Sequence, residues 1–552
     1  MTEPNSINRV LVGHFFRRFF DSDTIRIEGE TLTTVIRAVS TVAVPGLMVA
    51  FFLQNSYPQR SLWGAIEDQY FFVLFSFVVM GGAAVIEWDM LFPDRLDFLV
   101  LSPLPVKPYQ LLRAKAAALA GFLAVFLFGC NVFGALVLPI VSKGDILRQM
   151  YAHSVAVTLA GLFACLCLLA LGGLMICILG AARYRALSPA VQMLAVTVLL
   201  LMLIHYGKVG DSLQWWLRSP AGLARWFPPL WFLGLYEALL RGSAAPAFAW
   251  PMAGYAVRAT LLMAGIVLLT YPLGWERMRR LALEGTSIQR RQPARWREWV
   301  SNRLATRPAE RAVFYFIGQT LARNNRYQVY LAIYAGTGLA VAIGCAVSLH
   351  AGSRGVVAAL SNQGLHAVMP LLLFWVIAGL RAAFAFPVNL SAGWIFRLSG
   401  ASVLECAAAA RTWTFGLGMV VICVILGALR AAGWSLHDLL VQLVCGLCMC
   451  VLLTDGFFFL QRSVPFNQAR MPGRTSLPLF LTLYIGVFPP LIYGVIFLEG
   501  KLEASLMKLV SLALGTLLMH AGISLLKDAP VEVEEEMEPY EGEFQLLGLS
   551  FE

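Results

Sequence analysis

Glu87-Trp88-Asp89-Met90-Leu91-Phe92-Pro93-Asp94-Arg95-Leu96-Asp97, running on through Leu101-Ser102-Pro103-Leu104-Pro105, separates the second and third long apolar blocks of this chain. A counterpart lies in the second half, Phe386-Pro387 and then Trp394-Ile395-Phe396-Arg397-Leu398-Ser399-Gly400, again after the second apolar block of its half. Both stretches are amphipathic and sparsely charged, which makes them poor solvated linkers. A helix lying on lipid headgroups favours more basic residues than Arg95 and Lys107. Packing against protein accounts better for Leu91, Phe92, Phe98 and Leu101. Two such handles in one chain predict a duplicated fold that is gripped at two places.

The blocks around the handles set the class. Of 552 residues, 59% are hydrophobic and 13% charged, with a mean hydropathy of +0.72. Soluble domains carry about 25% charged residues. A helix of about 20 apolar residues crosses a hydrocarbon core about 30 Å thick. The blocks therefore predict an all-α, polytopic membrane protein with twelve spans, at 33–54, 69–86, 115–141, 154–180, 186–206, 253–274, 327–349, 365–386, 411–429, 438–461, 476–498 and 505–525. Residues 1–274 read as a first six-span half with an N-terminal amphipathic helix, and 275–326 as a basic linker with an entry helix. Residues 327–525 read as the second half and 526–552 as an acidic tail. Six is an even number, so the halves are expected as parallel repeats about an axis along the membrane normal.

With the N-terminus in the cytoplasm, most of the 42 Lys and Arg fall in cytoplasmic segments. Cationic loops resist translocation, so both termini are expected there. The stretch 275–326 contributes most, with Arg279-Arg280, Arg290-Arg291 and no lysine. Contact with anionic lipid heads is its first reading and a cytoplasmic partner its second; nucleic acid is not expected. Met1 to Arg26 shows no signal peptide. It is polar and then carries Phe15-Phe16-Arg17-Arg18-Phe19-Phe20, amphipathic but too short to span.

Ordered matches support duplication. Val12-Gly13-His14 answers to Ile317-Gly318-Gln319, and Phe227-Pro228-Pro229-Leu230 to Phe488-Pro489-Pro490-Leu491. A proline pair removes two backbone donors and adds ring clashes, which predicts a break in the eleventh segment. Its first-half counterpart, set among Trp215-Trp216, Trp226 and Trp231-Phe232, is expected on the outer membrane surface, where aromatic rings favour the interface.

Catalytic chemistry is not visible. There is no Gly-x-x-x-x-Gly-Lys-Ser/Thr loop to cradle phosphates, no His-Glu-x-x-His and no Gly-x-Ser-x-Gly. No catalytic residue and no cofactor is expected. The ten cysteines lie almost all in apolar segments. Cys445, Cys448 and Cys450 have no histidine or carboxylate at ligand spacing, which points to helix packing and not to metal. His205 and His520 have no carboxylate neighbour in sequence and read as packing or interface residues. Arg37 and Arg258 lie near span ends and can snorkel. Arg381 and Asp455 lie at equal depth in the eighth and tenth spans, which predicts an ion pair between them.

From Glu87 to Lys115 the sequence runs from an acidic start through an amphipathic segment and Leu-Ser-Pro-Leu-Pro-Val to a helix carrying Arg113-Ala114-Lys115. This resembles the ABC-2-type exporter permeases, and the fused pair of six-span units resembles the bacterial putative ABC exporter membrane proteins. The resemblance implies that the loop after the second span of each unit carries a coupling helix, which docks into a groove of an ATPase. Asp94, Arg95, Asp97, Leu101, Pro103, Leu104 and Pro105 match that pattern, while Trp394, Arg397 and Leu398 match it more poorly. It further implies two separate ABC ATPase subunits as partners beside membrane lipids, a location in the inner (plasma) membrane, and efflux of an unidentified substrate. The family usually has one unit per chain, from which this fusion departs. A twelve-span secondary transporter of the major-facilitator type is the alternative. Its short loops carry Gly-x-x-x-Asp-Arg-x-Gly-Arg-Arg, and Phe92-Pro93-Asp94-Arg95 lacks both glycines. A membrane-embedded transferase and a membrane scaffold are the remaining classes.

Overall fold

The computed structural model describes residues 4–20, 31–53, 57, 60–91, 101, 105–142, 145–218, 223–284, 307–352, 355–385, 402–459, 464–466, 477–502 and 506–528. They are overwhelmingly helical, and eleven helices are long and apolar enough to cross a membrane. Every one of the twelve expected spans falls on a helix. The protein is an all-α, multi-pass membrane protein, and its chain packs as two compact units.

The first unit comprises Met1–Gln289 together with Val347–Ala359. Its helices are α1 Pro4–Phe20, α2 Thr31–Leu53, α3 Leu62–Ile86, α4 Trp88–Leu91, α5 Pro108–Ser142, α6 Ile146–Leu179, α7 Ala181–Ile204, α8 Tyr206–Asp211, α9 Leu213–Arg218, α10 Pro228–Arg241 and α11 Ala249–Glu284. Strands β1 Val347–Gly352 and β2 Gly355–Leu360 pair as a hairpin. Ser61 caps α3 by accepting the Gly64 N–H, and Asp145 caps α6 by accepting that of Arg148. Between α6 and α7 the chain turns at Gly180, whose φ of 82° a side chain would strain. α3 is apolar on all sides and is buried among α5, α6, α7 and α10, as such a composition requires. It meets α6 closely: a Cβ at Gly161 would lie 2.6 Å from Ser76 Oγ, and that hydroxyl donates to the Val157 carbonyl at 2.9 Å.

The second unit comprises Arg290–Ala346 and Leu360–Glu552. Its helices are α12 Pro308–Arg323, α13 Asn325–Ala346, α14 Asn362–Ala385, α15 Val403–Ala431, α16 Leu436–Phe458, α17 Leu477–Leu502 and α18 Leu506–Asp528. The contacts inside each unit follow one scheme. α1 packs on α5 as α12 does on α15, and α3 packs on α5, α6 and α7 as α14 does on α15, α16 and α17. Likewise α6 packs on α11 as α16 does on α18. The units differ in two respects. α2 packs on α5 where α13 packs on α14, and only the first unit has α10 among its described helices.

The two proline pairs behave differently from the sequence expectation. α10 does not lie on a surface: Leu230, Phe232, Leu233, Leu235, Tyr236 and Ala238 are all buried, and the helix packs against α3, α6 and α11. Pro228 and Pro229 occupy its first turn, where a missing N–H has no partner to lose. Apolar residues on every side then demand an interior place. α17 is not broken either, and runs through Pro489 and Pro490 as one helix. Only two backbone bonds are lost, and a membrane helix tolerates this because neighbours and local adjustment re-satisfy the freed groups.

Candidate functional site

α1 lies across the start of α5. Leu11, Phe15, Phe19 and Phe20 share a buried cluster with Trp88, Leu111, Ala114, Ala118 and Phe122, and the Phe19 and Phe122 rings stack at 5.1 Å. The opposite face of α1 exposes Arg9, Val10, His14 and Arg17. α12 does the same at the start of α15, where Val313, Ile317 and Leu321 pack with Cys406, Ala409 and Ala410. The matched Val12-Gly13-His14 and Ile317-Gly318-Gln319 thus fall on corresponding helices. Each unit presents an amphipathic helix at the end where its handle segment joins the third long helix.

Of the residues matched to the coupling-helix pattern, Leu101 and Pro105 are described. Pro105 is exposed. Leu101 was expected as an exposed anchor, yet it is 8% exposed and belongs to the α1–α5 cluster, so its apolar surface is already used by the fold. Asp94, Arg95, Asp97, Pro103, Leu104, Trp394, Arg397 and Leu398 lie outside the described residues.

Arg381 and Asp455 occupy the same end of the second unit. Arg381 Nε donates to the Phe457 carbonyl at 3.0 Å, two residues along α16 from Asp455. Asp455 Oδ2 lies 2.5 Å from His520 Nδ1 on α18. This corrects the reading of His520 as a packing residue. Its carboxylate partner comes from another helix, which sequence neighbourhood does not reveal.

A second carboxylate–imidazole pair went unread. Glu499 on α17 is 2% exposed and its Oε1 lies 2.5 Å from His366 Nδ1 on α14. Gln442 on α16 donates to the same oxygen. Gln442 is a lone polar residue in an apolar run, which is a signal legible in the sequence, whereas His366 and Glu499 lie near the polar ends of their apolar blocks.

The first unit carries its polar groups at corresponding places, near the starts of α3 and α6. Arg60 grips Asp68 with both Nε (3.0 Å) and Nη2 (2.7 Å), and the Tyr57 hydroxyl donates to the same carboxylate at 3.2 Å. Burial first, and then the negative charge of Asp68, push the Tyr57 phenol above its ordinary range. The hydrogen bond to Asp68 is the main reason the Arg60 guanidinium holds its proton more firmly. Tyr70 stacks on Tyr206 at 5.7 Å, and burial, more than the nearby carboxylates, pushes the Tyr206 phenol up to about 12. On α10 the fully buried Glu237 pairs with Arg241 at 2.6 Å, and the Tyr236 hydroxyl lies 3.3 Å from His153 Nδ1.

Arg60 closes the α2–α3 connection onto a buried carboxylate through a bidentate pair, the strong geometry for such contacts. Asp68→Ala should therefore lower stability by about 2 kcal/mol. In a double-mutant cycle, Arg60→Ala should add little once Asp68 is gone. Thermal unfolding in detergent measures this, and additive losses would mean that the pair is not coupled.

Among the described residues no group of three His, Cys, Asp or Glu could hold a metal ion. In each unit, taken by itself, carboxylates meet arginine or imidazole inside an apolar helical bundle. No protein-family model, curated protein or solved structure matches the chain. Fold and site together define a multi-pass helical membrane protein of two similarly packed units with buried charged pairs.

Proposed function

We propose that this chain is the transmembrane permease subunit of an ATP-driven ABC exporter, with both permease halves in one polypeptide. The observation that carries the reading is the repeated platform. In each unit an amphipathic helix, α1 or α12, is laid across the start of the third long helix, the end that follows the handle segment in sequence. A duplicated platform suits a driver that is itself duplicated, namely two separate ATPase subunits. In this reading the platforms and both termini face the cytoplasm of an inner membrane. The arginine-rich stretch after α11 lies there too, as the positive-inside rule asks. Asp94, Arg95, Asp97, Pro103, Leu104 and Pro105 engage one ATPase subunit, and Trp394, Arg397 and Leu398 the other. Closure of the ATPases on ATP rocks the halves and alternates access to the substrate path. The permease itself performs no chemistry.

The test is purification from mild detergent. A Walker-motif ATPase should co-purify, and Leu104→Asp combined with Asp94→Ala and Asp97→Ala should release it, since such interfaces concentrate their energy in a few anchors. The chain freed of its partners should hydrolyse no ATP, because it has no phosphate-binding loop. Hydrolysis that survives removal of every co-purifying subunit, or a triple variant that keeps its ATPase and its transport, would overturn the reading. The buried carboxylate–imidazole pairs favour the alternative of a major-facilitator-like secondary transporter. It would transport without ATP, driven by an ion gradient.

A further inference from the structure

In the second unit one buried carboxylate oxygen serves two donors from two helices. Glu499 Oε1 accepts from His366 Nδ1 at 2.5 Å and from Gln442 Nε2. An amide nitrogen only donates, so Gln442 holds no proton for exchange. Its Nε2 also stands 3.4 Å from His366 Nδ1. While Nδ1 carries the proton it gives to Glu499, that approach is a contact and not a bond. The indole of Trp434 covers the imidazole, with ring centroids 4.6 Å apart.

We propose that Glu499, His366 and Gln442 form a proton-binding site, in which His366 passes protons between solvent and the buried carboxylate. The exposures suit those roles: the His366 side chain is 24% exposed and that of Glu499 is 2%. The relay balances. A proton from water adds to Nε2 of the neutral imidazole, and the Nδ1 proton moves to Glu499 Oε1. The products are a neutral carboxylic acid and a neutral imidazole of the other tautomer. Nδ1 then accepts the hydrogen bond that the new Oε1–H of Glu499 donates, so the same pair stays bonded before and after transfer. Gln442 Nε2 holds the shared carboxyl oxygen in place.

Charge explains why the proton stays. With one proton to share, the pair is neutral whether written as carboxylate with imidazolium or as acid with imidazole. Removing it leaves a net negative charge on a buried carboxyl group, and adding another leaves a net positive one; burial disfavours both. The Trp434 ring lies against the imidazole at a tilt of 50°, close enough to report on it. Among the described residues, the other ionisable groups on these elements towards this end include Cys345 on α13, Arg430 at the end of α15, His437, Asp438 and Cys445 on α16, Lys501 on α17 and Lys508 on α18. Asp438 is bonded to Ser435, Arg430 to the Trp434 carbonyl, and Lys508 to the Lys501 carbonyl, while Lys501 lies over the Phe497 ring. Glu499 itself lies beyond the Pro489-Pro490 pair, on a stretch where Gly494 and Gly500 face open space. The inference does not rest on the exporter reading, since it requires only the folded chain.

The experiment uses the full-length chain in lipid nanodiscs, with the proton as probe and Trp434 as reporter, because an imidazolium quenches an adjacent indole. The difference in emission between wild type and Trp434→Phe isolates the reporter and is followed from about pH 4.5 to pH 9, the range in which histidine titrates. A reversible step is expected in the wild type. His366→Gln should abolish it, and Glu499→Gln should move its midpoint by about one pH unit or more, the effect of removing a charge in contact. Should Glu499→Gln fail to fold, Gln442→Leu takes its place and should also move the midpoint, by withdrawing the shared donor. A flat wild-type signal, a step that survives His366→Gln, or a midpoint unmoved in the folded Glu499 or Gln442 variant would overturn the proposal.

Discussion

Gly364→Val should unfold the second unit or lower its stability by about 3 kcal/mol or more, the cost of overpacking where nothing can yield. A Cβ on Gly364 would overlap the backbone carbonyl of Cys345, and it would lie 2.9 Å from the Ala346 Cα. These are main-chain atoms, so no rotamer change relieves the clash. α13 and α14 form the most extensive helix pair of that unit, and the Ser361 N–H to Ala346 carbonyl bond ties the same place at 2.8 Å. Gly416→Ala is the control. Its Cβ meets nothing within van der Waals range, so the variant should be neutral, or more stable by up to about 1 kcal/mol from helix propensity. Thermal unfolding in detergent, with membrane fractionation to confirm insertion, reads both. Equal midpoints for Gly364→Val and wild type would contradict the close approach of α13 to α14.

The second large effect concerns Asp455. Its side chain is 4% exposed, and His520 Nδ1 stands against its Oδ2. His520→Ala removes a hydrogen bond from a buried carboxyl group and should cost about 2 kcal/mol. The open position of His520, about half exposed, keeps the figure below that for a fully buried pair. Asp455→Leu with His520→Ala should recover much of the loss, since an apolar side chain needs no partner there. Arg381→Ala removes both the bond to the Phe457 carbonyl and a positive charge at the same level, so it should destabilise Asp455 further. Losses from His520→Ala that persist in full when Asp455 is leucine would show that the two residues do not act together.

Both predictions depend on contacts that no reading of the chain in one dimension supplies. His520 lies 65 residues from Asp455, and Glu499 lies 133 from His366. Neither histidine has a carboxylate beside it in sequence. Depth along a helix follows from helical rise and span ends, but the imidazole that reaches Asp455 comes from α18, a helix distant in the chain.

Membrane class, helix positions and the doubled layout were legible in the sequence, because each depends on local composition. A run of apolar residues long enough to span must be helical to satisfy its own backbone, so hydropathy alone located every long helix. Similar packing in the two units agrees with a doubled layout, although only Val12-Gly13-His14 and Ile317-Gly318-Gln319 fall on corresponding helices. What only the tertiary structure decided is which side of each helix meets which neighbour. Phe-Pro-Pro-Leu occurs twice, yet it starts the buried α10 in one unit and passes through the middle of α17 in the other. A proline pair costs little at a helix start and tolerably little inside a membrane helix, so the local sequence permits both outcomes. Leu101, apolar in a sparsely charged amphipathic segment, fits packing against a partner equally well, but it packs in the α1–α5 cluster of its own chain. An apolar side chain specifies that it will be buried and not by what, because the hydrophobic effect has no direction. Hydrogen-bonded pairs such as Glu499–His366 do have direction, and that direction is set by packing between helices distant in the chain.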